Sequence, residues 1–325
     1  MGPLRGRRPE APARLRREQW LALDGEARAD HDEARLDYHT RLAIVATATI
    51  RQVASTGRRL VLLNRHEVSA RRGLIVTGPS GTGKTTAVTQ LGRIHERAVR
   101  RRHPEEQTRL PVVYVTVPPA ATPRVLAVEF ARFLGLPLST RSNQAEVTNA
   151  VCGVLGDLRT ELVIVDEIHN LNLGTRTGAE ASDQLKYFSE RMSATFVYAG
   201  AGLFAGPRGR QIAGRFASLT TAPFPYGSTA QREQWQALVA TLEQALCLHR
   251  HRPGDLLKLD AYLHARTDGM IGSLSHLVRG AAIEAILDGS EAITKATLES
   301  VRLDHAAELA HRQRSKTRAP SRQAS

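Results

Sequence analysis

One segment of eight residues constrains this chain more than any other feature. Positions 78–85 read Gly-Pro-Ser-Gly-Thr-Gly-Lys-Thr and match the pattern GxxxxGK[ST] at every fixed position. An apolar run at 74–76 precedes the segment, and a helical pattern follows it. A glycine-rich loop between a strand and a helix turns successive backbone N–H groups inward, where they and the positive end of the helix dipole bind phosphate. The segment therefore predicts a nucleotide-binding site.

The residues of this loop have distinct expected roles. Lys84 is expected to reach the β- and γ-phosphates, and the Thr85 hydroxyl is expected to ligate Mg²⁺. The predicted ATP-binding residues are Gly78, Pro79, Ser80, Gly81, Thr82, Gly83, Lys84, Thr85 and Thr86. ATP and Mg²⁺ are the cofactors that this set predicts.

A second motif lies one predicted helical crossover and one predicted strand after the P-loop. Four apolar residues at 162–165 end in Asp166 and Glu167, which is typical of a buried strand whose tip enters the active-site crevice. Asp166 would hold Mg²⁺ through water, whereas Glu167 would orient and deprotonate the attacking water. Lys84 and Glu167 are thus predicted catalytic residues. The alternative for Glu167 is a solvated loop acid.

Short apolar runs alternate with helical segments through the middle of the chain, which predicts a parallel five-stranded sheet with helices on both faces. The runs lie at 74–76, 112–115, 162–165 and 195–198, with a fifth near 219–222. We expect a disordered basic arm at 1–17, a helical segment at 18–60, an ATPase core at 61–228, a helical lid at 229–312 and a disordered basic tail at 313–325.

The chain carries a formal net charge of +13. Basic proteins tend to bind polyanions, above all nucleic acid, although richness in Arg and Ala is also a product of GC-rich genomes. Arginines concentrate near the N-terminus, between 97 and 109, and in the last residues. The run Arg100, Arg101 and Arg102 is the best candidate for backbone contacts to duplex DNA. It could equally be a solvated helix end, where the dipole favours cations.

Other classes of protein find little support. No apolar run reaches the roughly 18 residues of a membrane span, and no secretory signal is visible, so we expect a cytoplasmic protein without a membrane partner. Cys152 and Cys247 stand alone and are typical of reduced thiols. The 12 histidines show no metal-ligand spacing.

Two further stretches make the sequence resemble the TniB family of AAA+ transposition ATPases, relatives of TnsC and MuB. The first is the Asp166–Leu171 stretch, which reads DEIHNL. The second leads up to the P-loop and contains Trp20, Glu26, Arg28, Arg35, Tyr38 and His39. The resemblance implies an ATP-dependent helper that binds duplex DNA, selects target DNA and activates a DDE transposase. Departures from the AAA+ pattern at residues 198–201 and in the lid predict that its ATP hydrolysis is slow. The resemblance also implies rings or filaments with ATP between subunits, each site completed by a neighbour's arginine.

Arg215 resembles that finger arginine, with Arg210 as the second choice, and both could be ordinary surface residues. Two features depart from the AAA+ pattern: residues 198–201 offer no polar sensor, and Arg279 comes late for the sensor arginine of the lid. His169 could link the ATP site to a partner or simply pack in its loop. A replication loader or initiator, a defence signalling ATPase, and a P-loop scaffold without turnover remain alternatives.

Overall fold

The structure, a computed structural model, describes residues 11–13, 15–41, 44–67, 71–139, 142–171, 175–201 and 214–303. The predicted tail at 313–325, most of the predicted arm at 1–17 and Arg210 lie outside these residues. The described residues form two compact units. The first contains those from 46 to 221, and the second contains those before 46 together with those after 221.

A parallel sheet occupies the centre of the first unit. Its strands are β1 (Gly73–Thr77), β2 (Val112–Thr116), β3 (Leu162–Asp166), β4 (Thr195–Gly200) and β5 (Phe216–Thr220). Their order is β2-β3-β4-β1-β5, and every neighbouring pair is parallel. All five predicted strands are present, although β5 begins slightly earlier than the apolar pattern indicated.

Helices make up most of the remaining described chain. In order they are α1 (Arg17–Leu21), α2 (Gly25–Thr40), α3 (Ala48–Asn64), α4 (Lys84–Arg102), α5 (Pro123–Leu134), α6 (Gln144–Asp157), α7 (Arg176–Arg191), α8 (Thr229–Gln244), α9 (Asp260–Thr267), α10 (Ile271–Leu287) and α11 (Lys295–Ser300). No helix in the described ranges is both long and apolar enough to cross a membrane.

Both faces of the sheet are covered by helices. Side chains alternate along a strand, so Leu162 and Ile164 pack with α3 and α4, whereas Val163 and Val165 pack with α5, α6 and α7. Because both sets are buried, β3 is apolar at successive positions. The predicted α/β fold with a doubly covered sheet, an N-terminal helical segment and a C-terminal helical unit is therefore confirmed.

The second unit is an all-helical body with its own core. Trp235 is fully buried among leucines and valines of α8, α9 and α10, and its indole N–H donates to the Asp260 carbonyl oxygen at 3.0 Å. Helix α2 packs on α10. The N-terminal helices and the C-terminal helices thus share one body despite their separation in sequence.

A buried polar network joins α2 to the rest of this unit, and we call Trp20, Asp32, Arg35, His39 and Glu291 the Arg35 cluster. The guanidinium of Arg35 donates to both carboxylate oxygens of Glu291, at 2.7 and 2.8 Å, and to Asp32 Oδ1 at 2.6 Å. Trp20 Nε1 also donates to Asp32 Oδ1, at 2.8 Å. His39 Nε2 accepts from the backbone N–H of Cys247 at 3.2 Å.

The Arg35 cluster explains why the unit boundaries differ from the predicted segment at 18–60. Burial opposes the charge on Arg35, but the hydrogen bonds that Arg35 donates to Glu291 and Asp32 outweigh burial and raise the pKa of Arg35. Those bonds tie α2 to the second unit. Helix α3, by contrast, buries apolar residues such as Val53 and Leu60 in the core of the first unit. Residues 222–228, predicted to belong to the ATPase core, also lie in the second unit.

Candidate functional site

The P-loop connects β1 to α4 at the carboxyl edge of the sheet. Gly78, Gly81 and Gly83 have φ angles of 144°, 79° and 89°, which L side chains rarely adopt. Residues 79–81 are exposed. Helix α4 begins directly after Gly83 without a side-chain cap, whereas the Thr122 and Asn143 side chains cap α5 and α6. The first amides of α4 thus donate no hydrogen bond to a capping side chain, which leaves them for an anion at the helix N-terminus.

Thr221, directly after β5, holds this loop in place. Its backbone N–H donates to the Thr77 carbonyl oxygen at 2.7 Å, and its hydroxyl lies 2.6 Å from the Thr82 hydroxyl. A Cβ added at Gly78 would lie 2.2 Å from the Thr221 carbonyl oxygen, so only glycine fits there. Sequence reasoning missed Thr221, because β5 is distant in sequence and only the strand order places its end beside the P-loop.

Lys84 folds back over the loop that it follows. Its Nζ donates to the carbonyl oxygens of Gly78 at 2.9 Å and Pro79 at 2.7 Å. Burial lowers the pKa of Lys84, and the negative charges of Glu167 and Asp166 only partly oppose that effect. The structure therefore brings Lys84 close to both predicted carboxylates.

Asp166 ends β3 and is buried, with its carboxylate held from two directions. The Tyr114 hydroxyl donates to Oδ2 at 2.8 Å, and the Glu167 backbone N–H donates to Oδ1 at 2.8 Å. Burial raises the pKa of Tyr114, and the Asp166 charge adds to the effect, so this hydroxyl remains a proton donor. Tyr114 also went unnoticed in the sequence, because its role depends on the pairing of β2 with β3.

Glu167 lies beyond the strand in a left-handed backbone conformation, with φ 55° and ψ 32°. Such a conformation costs a non-glycine residue roughly 1–2 kcal/mol. It turns the chain into a 3₁₀ turn, Ile168–Asn170, and leaves the Glu167 side chain 43% exposed. His169 Nδ1 lies 3.2 Å from Glu167 Oε2, so His169 contacts the candidate general base.

The tip of β4 explains one departure from the AAA+ pattern. Gly200 lies against the turn after β3, where an added Cβ would be 2.9 Å from Ile168 Cγ2 and 3.0 Å from the His169 backbone nitrogen. A polar sensor side chain at Gly200 would therefore require the turn to move. The close approach of this tip to the turn after β3 accounts for the glycine.

Thr85 and Thr86 lie in the first turn of α4, exposed and half-buried respectively. Arg215 lies elsewhere: it is exposed and precedes β5, and its carbonyl oxygen accepts from the Gly73 N–H at the opposite edge of the sheet from the P-loop. A five-residue strand is roughly 16 Å long. The structure therefore separates Arg215 from Lys84 of the same subunit.

The arginine run at the end of α4 lies at that same opposite edge. Arg100 pairs with Glu96 at 2.7 Å, so its charge is already partnered. Arg101 and Arg102 are exposed. Within this run, the exposed candidates for DNA contacts are thus the last two residues of the helix.

Comparison with known proteins agrees with this geometry. The family model described as "Bacterial TniB protein" matches residues 38–226, which include the P-loop, Asp166 and Thr221. The chain belongs to the TniB family. A comparison with curated proteins gives no match.

Solved structures similar to this TniB-family chain share its AAA+ fold. Aeropyrum pernix ORC1, solved in complex with DNA, has a TM-score of 0.60 at 20% identity, over 81% of this chain and 66% of that one. Aeropyrum pernix ORC2, in its ADP form, has a TM-score of 0.59 at 16% identity, over 79% and 69%. This chain thus spans about two thirds of the length of these structures. At such identities the likeness establishes the fold alone.

The second departure of this TniB-family protein from the AAA+ pattern concerns Arg279. Its Nε donates to the His39 carbonyl oxygen at 2.9 Å, and its Nη2 donates to the Thr40 carbonyl oxygen. A cation there satisfies carbonyl groups at the end of α2. Arg279 is thus bound within the second unit, as a helix cap.

Proposed function

We propose that this TniB-family protein binds ATP with Mg²⁺ and hydrolyses it slowly, as a DNA-binding helper in transposition. The observation that carries the proposal is the convergence of Lys84, Asp166 and Glu167 at one edge of the sheet, next to an uncapped helix N-terminus. This is the combination that phosphoryl transfer to water requires. The family assignment supports the role in transposition.

Nucleotide binding would replace contacts that the loop now makes with itself. The Lys84 ammonium would exchange the carbonyl oxygens of Gly78 and Pro79 for the β- and γ-phosphate oxygens. The Thr85 hydroxyl, exposed at the start of α4, would ligate Mg²⁺ directly. Asp166 would hold the ion through water, kept in place by Tyr114. Mg²⁺ would neutralise the charge that develops on the phosphates.

Hydrolysis would depend on Glu167. Its exposed carboxylate stands at the mouth of the site and can accept a proton from water. The His169 imidazole beside it would hold that carboxylate in one orientation. Slow turnover fits the glycine tip of β4, which offers no polar side chain to the water, and suits a protein whose ATP-bound assembly is the active form.

The arginine that completes the site would come from a neighbouring subunit. Arg215 lies at the opposite edge of the sheet from its own P-loop, so we expect it to serve the nucleotide of another copy. Arg215→Ala should leave ATP binding nearly intact but remove assembly-dependent turnover. Mixing this variant with Lys84→Ala should restore part of the activity, because one mixed interface then has both an ATP site and a finger. No rescue at any ratio would contradict a shared site.

Duplex DNA would be bound through phosphates, with little base specificity, while a DDE transposase would be the partner that the complex activates. The exposed Arg101 and Arg102 and the net charge of +13 support backbone contacts. The similar fold of ORC1, solved with DNA, is compatible with that use. In an assembly, many such weak contacts would act along one duplex.

Electron microscopy of the full chain with duplex DNA tests the proposal, with and without a slowly hydrolysed ATP analogue. We expect rings or filaments on DNA only with the analogue. Fluorescence anisotropy should show affinity that falls steeply with salt, with a smaller salt slope in an Arg101→Ala/Arg102→Ala variant. ATP-dependent assemblies that do not bind DNA would instead favour a signalling ATPase. Intact ATP binding without ATP hydrolysis would favour a scaffold.

A further inference from the structure

Two histidines that are far apart in sequence meet in the second unit. His31 lies on α2 and His249 lies in the segment after α8, and their ring centroids are 5.8 Å apart with an interplanar angle of 23°. Asp32 lies beside them, with its Oδ1 3.7 Å from His31 Nδ1. All three side chains are partly buried.

Backbone carbonyl groups determine which nitrogen of each ring carries the proton. His31 Nε2 lies 3.0 Å from the Ala13 carbonyl oxygen, and His249 Nδ1 lies 3.0 Å from the Leu15 carbonyl oxygen. A carbonyl oxygen only accepts, so both of these nitrogens are donors. In the neutral rings, the lone pairs therefore lie on His31 Nδ1 and His249 Nε2.

These two lone pairs point to a ligand. Both nitrogens are buried, and neither has a hydrogen-bond partner among the described residues. His31, Asp32 and His249 each offer one ligand atom, and these three atoms lie within 4.8 Å of one another. Buried polar atoms without a partner are costly, so their convergence needs an explanation.

We propose that His31, Asp32 and His249 form a binding site for one Zn²⁺ ion. Two neutral imidazoles and a carboxylate are ligands that zinc accepts, with a water as the fourth. Histidine ligands of metals typically donate their other N–H to a carbonyl or carboxylate, as both rings do here. Zinc ligands about 2.0–2.1 Å from the ion lie roughly 3.3 Å apart in a tetrahedron, and the three ligand atoms lie within 4.8 Å of one another, so the side chains must close by up to about 1.5 Å.

The charges around the site permit a cation. Arg35 is the nearest positive group to Asp32, but its charge is balanced by Glu291 in a bidentate pair. Arg35 and Trp20 both donate to Oδ1 of Asp32, so we expect Oδ2 to turn to the ion when it binds. The Arg28 guanidinium lies 5.1 Å from the Trp20 ring centroid and donates to two carbonyl groups at the end of α1.

The ion would fasten the N-terminal helices to the segment that follows α8. The site shares Asp32 with the Arg35 cluster, and Trp20 of that cluster stacks on His249 at 5.1 Å within the same unit. Its role would be structural and separate from the Mg²⁺ site of the P-loop. Zinc should therefore stabilise the second unit without being required for ATP binding.

Calorimetric titration of Zn²⁺ alone into chelator-stripped full-length protein, without nucleotide, tests the site. We expect one strong site whose affinity falls at least tenfold in His31→Gln and in His249→Gln. His276→Gln, which changes an exposed histidine of the same unit, is the matched control and should bind like the parent. A thermal melt should show zinc stabilising the parent and the control but neither site variant.

The proposal is overturned if the parent has no strong site, or if both site variants bind zinc as tightly as the parent does. X-ray absorption of the zinc-loaded parent gives a result that does not depend on the folding of the variants. Two imidazole nitrogens with oxygen ligands would support the site. All-oxygen or sulfur coordination would contradict it.

Discussion

The P-loop and the Arg35 cluster both concentrate polar groups, but they differ in how far the chain itself satisfies them. In the cluster, the Arg35 and Glu291 side chains are 1% and 4% exposed and pair through two short hydrogen bonds, although Arg35 Nε has no partner among the described residues. At the P-loop, α4 has no side-chain cap, the Glu167 side chain is 43% exposed, and among the described residues Lys84 Nζ donates to carbonyl groups of its own loop. Satisfied polar groups hold a fold together, whereas groups left open are available to a ligand.

The difference teaches how to separate stability from function in this chain. Removing one partner of the buried Arg35–Glu291 pair should lower the free energy of unfolding, because the other charge is left buried alone. Removing a group at the open site should change nucleotide chemistry and leave the fold nearly unchanged. The following predictions test that contrast, from the largest expected effect to the smallest.

Arg35→Ala should lower the free energy of unfolding by about 3–5 kcal/mol, because it leaves the Glu291 carboxylate buried without its partner. Denaturant unfolding measures the loss. The double variant Arg35→Met/Glu291→Met should lose less than the single variant, since it leaves no unpaired charge. An equal loss in both would show that the pair contributes packing rather than charge balance.

Glu167→Gln should bind ATP normally but hydrolyse it on the order of 10²-fold more slowly, because an amide cannot accept the proton from water. Phosphate release measures turnover, while calorimetry measures binding. Glu180→Gln, which changes an exposed acid of α7, should turn over like the parent. Unchanged turnover in Glu167→Gln would make this residue a solvated loop acid.

Lys84→Ala should weaken ATP binding by roughly 1.5–3 kcal/mol, the contribution of a charged hydrogen bond, and leave the free energy of unfolding nearly unchanged. Lys186→Ala removes an exposed lysine of α7 and is the matched control. Calorimetry with ATP and denaturant unfolding are compared for both. A large loss of stability in Lys84→Ala would mean that the open site also supports the fold.

Acid should destabilise the second unit through His39. Burial, and then the charges of Arg35 and Arg279, lower the pKa of His39 to about 4, below its ordinary value of 6.5. The unfolded state thus binds the proton more readily, so stability is complete above pH 6.5 and is lost as the pH falls toward 4. The loss at pH 5 should be roughly 2 kcal/mol. His39→Gln should flatten this dependence in unfolding experiments between pH 7 and pH 5.

Much of the first unit could be predicted because its signals are local. Each of these signals depends on a few consecutive residues: the P-loop pattern, the apolar runs and Asp166 at the end of β3. The structure forms the sheet from the apolar runs and places the P-loop and Asp166 at its carboxyl edge. Strand order was not readable in this way. Tyr114 and Thr221 contact the site because β2 pairs with β3 and β5 pairs with β1.

The second unit shows what only tertiary structure decided. Trp20, Arg35 and His39 precede the P-loop in sequence and fall in the predicted helical segment at 18–60. Arg35 and His39 instead bond to groups far along the chain, and Trp20 stacks on His249, because a buried polar group must find its partner wherever the fold supplies one. The same holds for His31 and His249, whose spacing in sequence carries no metal pattern. By itself the sequence determined the nucleotide loop and the parallel sheet, since backbone geometry and side-chain alternation are encoded locally. The tertiary structure decided which distant polar groups meet, since those pairings depend on packing.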